Sequence, residues 1–107
     1  MNLILWRHAD AESGSPDLAR KLTERGQMQA GRVSIWLKPR LPEGCEVLVS
    51  PAVRAQQTAL ALGMQFVTTP AVGIDARAAD VVAAAGWPTH PGTVLIVGHQ
   101  PTLGRVA

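Results

Sequence analysis

The chain has 107 residues, 47% hydrophobic and 17% charged, with a formal net charge of +2. That length carries one domain over residues 1–107 and excludes a second, while the apolar content excludes a disordered or fibrous chain. The longest apolar stretches, LILW and TVLIV, fall far short of the roughly 20 residues a membrane helix needs, and the N-terminus lacks a signal-peptide pattern, so the expected location is cytoplasmic.

The first predicted element is a strand over residues 3–6, inside LILWRHAD, where an apolar run meets Arg7 and His8 without a spacer. An apolar run without alternation reads as a strand covered on both faces of a parallel sheet. The basic pair at its end must find partners or do chemistry, because burying an unpaired cation costs several kcal/mol. A helix is expected over residues 23–38, with Thr23 as N-cap, Met28, Ile35 and Leu37 as apolar positions, and Pro39 as its stop. Gly26 inside it costs roughly 1 kcal/mol against Ala and so points to close packing.

The second strand is Glu46–Val49. In the following SPAVRAQQTALALG, Ser50 reads as a helix cap, Pro51 suits the first helical position, and Gly63 closes the end in the left-handed conformation. Phe66 and Val67 are expected to form a short strand, residues 76–85 a helix, residues 93–97 the last strand, and a final helix opens at Pro101. This alternation implies a three-layer α/β/α fold with a mainly parallel sheet.

Arg7 and His8, Arg54, and His99 each follow the end of a strand. Open α/β sheets bind ligands at the carboxyl ends of their strands, so these four residues are candidates to converge on one site. Two arginines select an anion, phosphate above all, with helix N-termini near Pro51 and Pro101 adding N–H donors. Neighbouring positive charge favours neutral imidazole, and neutral imidazole is a nucleophile. The lone Cys45 cannot form an intrachain disulfide or a thiolate cluster, and no group of residues has metal-ligand spacing, so neither cofactor nor metal is expected. The basic residues are scattered without interleaved aromatics, which argues against nucleic acid.

WRHADAE resembles the RHG/RHA motif of the histidine phosphatase (phosphoglycerate mutase-like) superfamily, and among its members the small SixA-type phosphohistidine phosphatases. The resemblance continues through LTERGQMQAGRVSIWL, VLVSPAVRAQQTA and VLIVGHQPTLG, covering most of residues 1–63 and 93–104 in the family's order. It implies that His8 is the phosphorylated nucleophile, that Arg7 and Arg54 bind phosphate, that His99 is the second histidine, and that no metal is needed. The preferred substrate it implies is phosphohistidine on a protein such as a phosphotransfer domain. The alternatives are a small-molecule phosphomonoesterase or mutase, and a non-catalytic phosphate-binding remnant.

The family continues for roughly another helix and strand beyond the second histidine, so the expectation is a C-terminally truncated domain with an exposed sheet edge, the alternatives being a naturally minimal protein or a sheet that a partner completes. The family's proton-donating carboxylate has no recognisable motif here; the leading reading is a site without a dedicated acid, and among carboxylates Asp75 is the candidate, with Asp80 behind it. His90 reads as a loop residue, Asp10 and Glu12 as solvated neighbours of the motif, and Trp6, Trp36 and Trp87 as packing residues.

Overall fold

All six residues of TVLIVG at 93–98 are buried, as a strand must be when helices cover both faces of its sheet. In the computed structural model, which describes residues 1–107, the elements run β1 (Asn2–Arg7), α1 (Glu24–Leu37), β2 (Glu46–Val49), α2 (Val53–Leu60), β3 (Val67–Thr68), α3 (Ala78–Ala85), β4 (Thr93–Gly98) and α4 (Thr102–Val106). The four strands form one parallel sheet in the order β1-β4-β2-β3. The expected three layers are present.

Alternate strand residues feed two separate cores. Trp6, Val47, Val49, Leu95 and Val97 pack with Leu37 of α1 and Ala55 and Ala59 of α2. Leu48, Val94 and Ile96 pack on the opposite face with Val81 and Ala85 of α3 and Leu103 of α4. Crossovers from β1 to β2 to β3 step outward, and the return to β4 reverses direction, so a constant right-handed crossover puts α3 on the other face. Adjacent strands β1 and β4 therefore lead to helices on opposite faces, which opens a crevice at their carboxyl ends.

Helix α1 is capped as expected, with the Thr23 hydroxyl accepting from the Gly26 N–H at 2.9 Å. Its buried stripe differs from the expected one. Gly26, Ala30, Ser34 and Leu37 face inward, whereas Met28 and Ile35 are exposed, Ile35 at 78%. Small residues let the helix lie close to the loop after β1: a Cβ on Gly26 would stand 2.0 Å from the Asp10 carbonyl oxygen. Gly26→Ala is therefore expected to destabilise, because overpacking costs about 1–3 kcal/mol against the ~1 kcal/mol of helix propensity gained. A thermal melt should show Tm lower by about 5–10 °C.

Helix α2 begins later than its sequence signals suggest. Its N-cap is Ala52, and neither Ser50 nor Pro51 belongs to it. The Ser50 hydroxyl instead accepts from the Ala52 N–H at 3.2 Å and turns toward the sheet end. Gly63 adopts the left-handed conformation, φ 64°. The short strand and the helix expected within residues 64–92 are observed as β3 and α3. β1 hydrogen-bonds only to β4 and so forms a sheet edge, beside a groove lined by Leu3, Leu5, Val82, Trp87 and Val106. No helix is long and apolar enough to cross a membrane.

Candidate active site

Three side chains stand one residue past the ends of three neighbouring strands. His8 follows β1, His99 follows β4 and Ser50 follows β2, and the register pairs Arg7 with Gly98 and Val49 with Val97. Backbone bonds from His8 N to Gly98 O and from Ser50 N to Val97 O, both 3.0 Å, carry the ladder one step further. His8 and His99 thus face a common cavity of about 470 Å³, lined also by Arg7, Asp10, Arg20 and Arg54 among others, while Ser50 is fully buried beneath it. All four expected site residues are brought together there.

The tautomer of His8 follows from its partners. Nδ1 lies 2.7 Å from the Ala9 carbonyl oxygen, which can only accept, so Nδ1 carries the proton. Nε2 is left with its lone pair and accepts from the Arg54 Nε–H at 3.3 Å. The Ala9 N–H in turn donates to Thr58 Oγ1 at 3.0 Å, and the Thr58 hydroxyl donates to the Arg54 carbonyl at 2.7 Å, tying the turn after His8 to α2. Burial, and after it the charges of Arg54 and Arg7, holds His8 below its ordinary pKa.

His99 sits with its ring centroid 5.1 Å from that of His8. Its Nε2 is 2.7 Å from Ser50 Oγ, and its Nδ1 is buried without a partner. Ser50 already accepts from Ala52, so its hydroxyl proton is free to go to His99 Nε2. That arrangement leaves Nδ1–H as an unsatisfied buried donor, which an anion's oxygen would relieve. Burial, then the Arg54 and His8 charges, lowers the His99 pKa to about 4.

The sign of the pH effect on stability follows directly. An unfolded His99 takes a proton near 6.5, while the folded one resists until about 4, so stability should fall as pH drops through that window. Urea unfolding between pH 7 and 4 should show the slope, and His99→Gln should reduce it to the part that His8 contributes.

Arg54, in the first turn of α2, is 4% exposed. Beyond its bond to His8 it donates from Nη1 to the Asp17 carbonyl at 2.8 Å and from Nη2 to Asp17 Oδ2 at 3.1 Å. Arg7 is exposed at the end of β1 and lines the cavity. Asp17 and Arg20 escaped the sequence reading, as did Ser50's turn toward His99. Nothing local marks them, since Asp17 and Arg20 lie in the irregular stretch between β1 and α1.

The candidate acids separate. Asp75 is exposed and outside the cavity lining, beside a neighbouring concavity, so its placement does not support a proton donor. Asp80 accepts from the Arg77 N–H at 2.9 Å and so secures the N-terminus of α3. Asp10 does line the cavity, with its Oδ2 accepting from the Thr23 hydroxyl at 2.7 Å. Glu12 does not. His90 accepts from the Gly92 N–H on Nδ1 and so directs Nε2–H to Glu46 at 3.0 Å, a loop tether. Trp6 is a core residue, while Trp36 stacks under the Arg40 guanidinium at 4.2 Å and Trp87 is half exposed. No group of three or more His, Cys, Asp or Glu side chains is arranged to hold a metal ion.

Known proteins resemble this chain in sequence and in fold. A phosphohistidine phosphatase SixA homolog of Haemophilus influenzae is 33% identical over 122 residues, covering 99% of this chain and 74% of that protein. A Mycobacterium tuberculosis protein of unassigned function is 33% identical over 117 residues, covering 94% of this chain. Among solved structures, a Nakamurella multipartitia protein assigned to phosphohistidine phosphatase SixA superposes with a TM-score of 0.84 at 33% identity over 96% of this chain. The protein histidine phosphatase SixA complexed with tungstate superposes with a TM-score of 0.79 at 27% identity over 99% of it. The chain spans 66% of the mycobacterial relative and 61% of the Nakamurella chain. The sequence profile of the histidine phosphatase superfamily (branch 1) matches residues 3–72, and with these relatives it shows that the chain belongs to that superfamily.

Proposed function

We propose that this chain is a phosphatase working through a phosphohistidine on His8, and that its preferred substrate is phosphohistidine on another protein. The observation that carries this reading is the tautomer of His8: Nδ1–H is spent on Ala9 and Nε2 presents a lone pair into an arginine-lined cavity. In the first step Nε2 attacks phosphorus and the bond from phosphorus to the substrate imidazole breaks. The leaving imidazole takes a proton from solvent, which its ordinary pKa near 6.5 permits. In the second step water attacks the phosphoryl group on His8, releasing orthophosphate and restoring neutral imidazole. Arg7, Arg54 and the unpartnered Nδ1 of His99 are placed to meet the charge on the phosphoryl oxygens.

Bond preference follows from the acids. An alkyl phosphate ester releases an alkoxide unless a carboxylic acid protonates it. Here Asp17 is held below its usual pKa, chiefly by its hydrogen bond from Arg54, and Asp75 lies outside the cavity. The P–N bond needs no such donor. Asp10 favours the second reading, a small-molecule phosphomonoesterase, because its carboxylate lines the cavity. Comparing kcat/KM for a phosphohistidine protein, p-nitrophenyl phosphate and an alkyl phosphate tests the two. The expected order is descending, with Asp10→Asn and Asp75→Asn leaving the first rate unchanged and excess EDTA changing none. Faster turnover of the alkyl phosphate, lost in Asp10→Asn, would transfer the assignment to the second reading.

A further inference from the structure

We propose that Asp17 is the positioning residue of Arg54: its carboxylate and its own carbonyl hold the end of the guanidinium so that the Nε edge faces His8 and an incoming phosphoryl group. The proposal rests on the phosphatase reading above and adds to it a residue outside the four motif positions.

The geometry is specific. The guanidinium is planar, and its end edge, Nη1 with Nη2, is occupied on both nitrogens by Asp17, at 2.8 Å to the carbonyl and 3.1 Å to Oδ2. With that edge fixed, planarity turns Nε–H and the remaining Nη2 proton to the side where His8 Nε2 lies 3.3 Å from Nε. A phosphoryl group on His8 would meet two parallel donors there. The other carboxylate oxygen, Oδ1, accepts from Arg20 Nε at 2.9 Å, and Arg20 Nη1 donates to the Glu12 carbonyl at 3.0 Å. Both carboxylate oxygens are therefore engaged, and the short 3₁₀ turn Asp17–Ala19 is pinned from two sides.

Electrostatics alone would argue against an acid here. A carboxylate next to an anion-binding arginine opposes phosphate, although Asp17, 51% exposed, is well screened by water. Retaining it makes physical sense if the orientation it imposes on a buried arginine outweighs that repulsion. The side chain of Arg54 is only 5% exposed, so without the Asp17 carboxylate Nη2 would lose its partner in a place water reaches poorly, and the backbone carbonyl alone would hold the end edge, in a turn no longer tied to Arg20.

The two effects have opposite signs, which makes the test decisive. Orthophosphate affinity is measured by calorimetry for the wild type, Asp17→Ala and Asp17→Asn, with circular dichroism and thermal melts as fold controls. Positioning predicts weaker binding in Asp17→Ala, on the order of tenfold, despite the loss of one negative charge. Asp17→Asn, which keeps an oxygen for Nη2, should fall between. Unchanged or tighter binding in a folded Asp17→Ala overturns the proposal. A second readout needs neither phosphate nor a variant: in ¹⁵N NMR the Arg54 Nη groups of the free wild type should give separate resonances from hindered rotation. A single averaged resonance overturns the proposal even if Asp17→Ala fails to fold. Absence of orthophosphate binding in the wild type would instead count against the phosphatase reading.

Discussion

His8→Ala is expected to abolish turnover of every phosphorylated substrate, by ~10³-fold or more, since a covalent route cannot proceed without its nucleophile. The reason lies in how little else in the cavity can attack phosphorus. The arginines are fixed cations, and His99 accepts from Ser50 through Nε2, which puts the proton on its remaining nitrogen and leaves it no lone pair. Only His8 combines a lone pair on Nε2 with a proton locked on Nδ1. Mixing wild-type protein with substrate and quenching without acid should therefore yield a phosphoryl adduct, located by mass spectrometry on the peptide containing His8. The adduct should be absent from His8→Ala. An active preparation in which that variant keeps its rate would sink the mechanism.

The pH dependence should follow the same group. His8 is held below its ordinary pKa of 6.5, so the neutral nucleophile persists into mildly acidic solution and the rate should fall only at lower pH than free histidine would suggest.

The sequence made much of this site legible because its four motif residues occupy strand ends, and strand ends in a parallel sheet converge by register alone. Arg7-His8, Arg54 and His99 could be placed without knowing a single contact. What stayed hidden was whatever depends on chain separated in sequence and irregular in conformation. Asp17 pairs with Arg54 across 37 residues, from a turn with no periodic signal. Ser50 carried a plausible local meaning, a cap for α2, that its proximity to His99 overrode. The inward face of α1 is illegible for a different reason: apart from Leu37 its stripe is built of Gly26, Ala30 and Ser34, and small residues that permit close approach leave no hydrophobic signature. The same closeness was nevertheless readable at Gly26, because a glycine in a helix interior is costly without a packing reason.

Arg54→Lys should reduce kcat/KM by about 100-fold even though it keeps the charge, given that charge-assisted hydrogen bonds contribute about 1.5–3 kcal/mol each and more than one is lost. Arg54 spans three acceptors at once: His8 Nε2 at 3.3 Å, the Asp17 carbonyl at 2.8 Å and Asp17 Oδ2 at 3.1 Å. A lysine ammonium is a point donor on a flexible stem and cannot hold the Asp17 end while presenting parallel donors at His8. Its charge would follow whichever anion is nearer, and in the free protein that is Asp17. The loss should then appear in both KM and kcat, because the same edge that binds phosphate also meets the transition-state charge. Steady-state kinetics with p-nitrophenyl phosphate, alongside a melt to confirm folding, would settle it. Equal rates for lysine and arginine would mean that positive charge suffices and that the planar fork, with the Asp17 contacts that aim it, has no catalytic consequence.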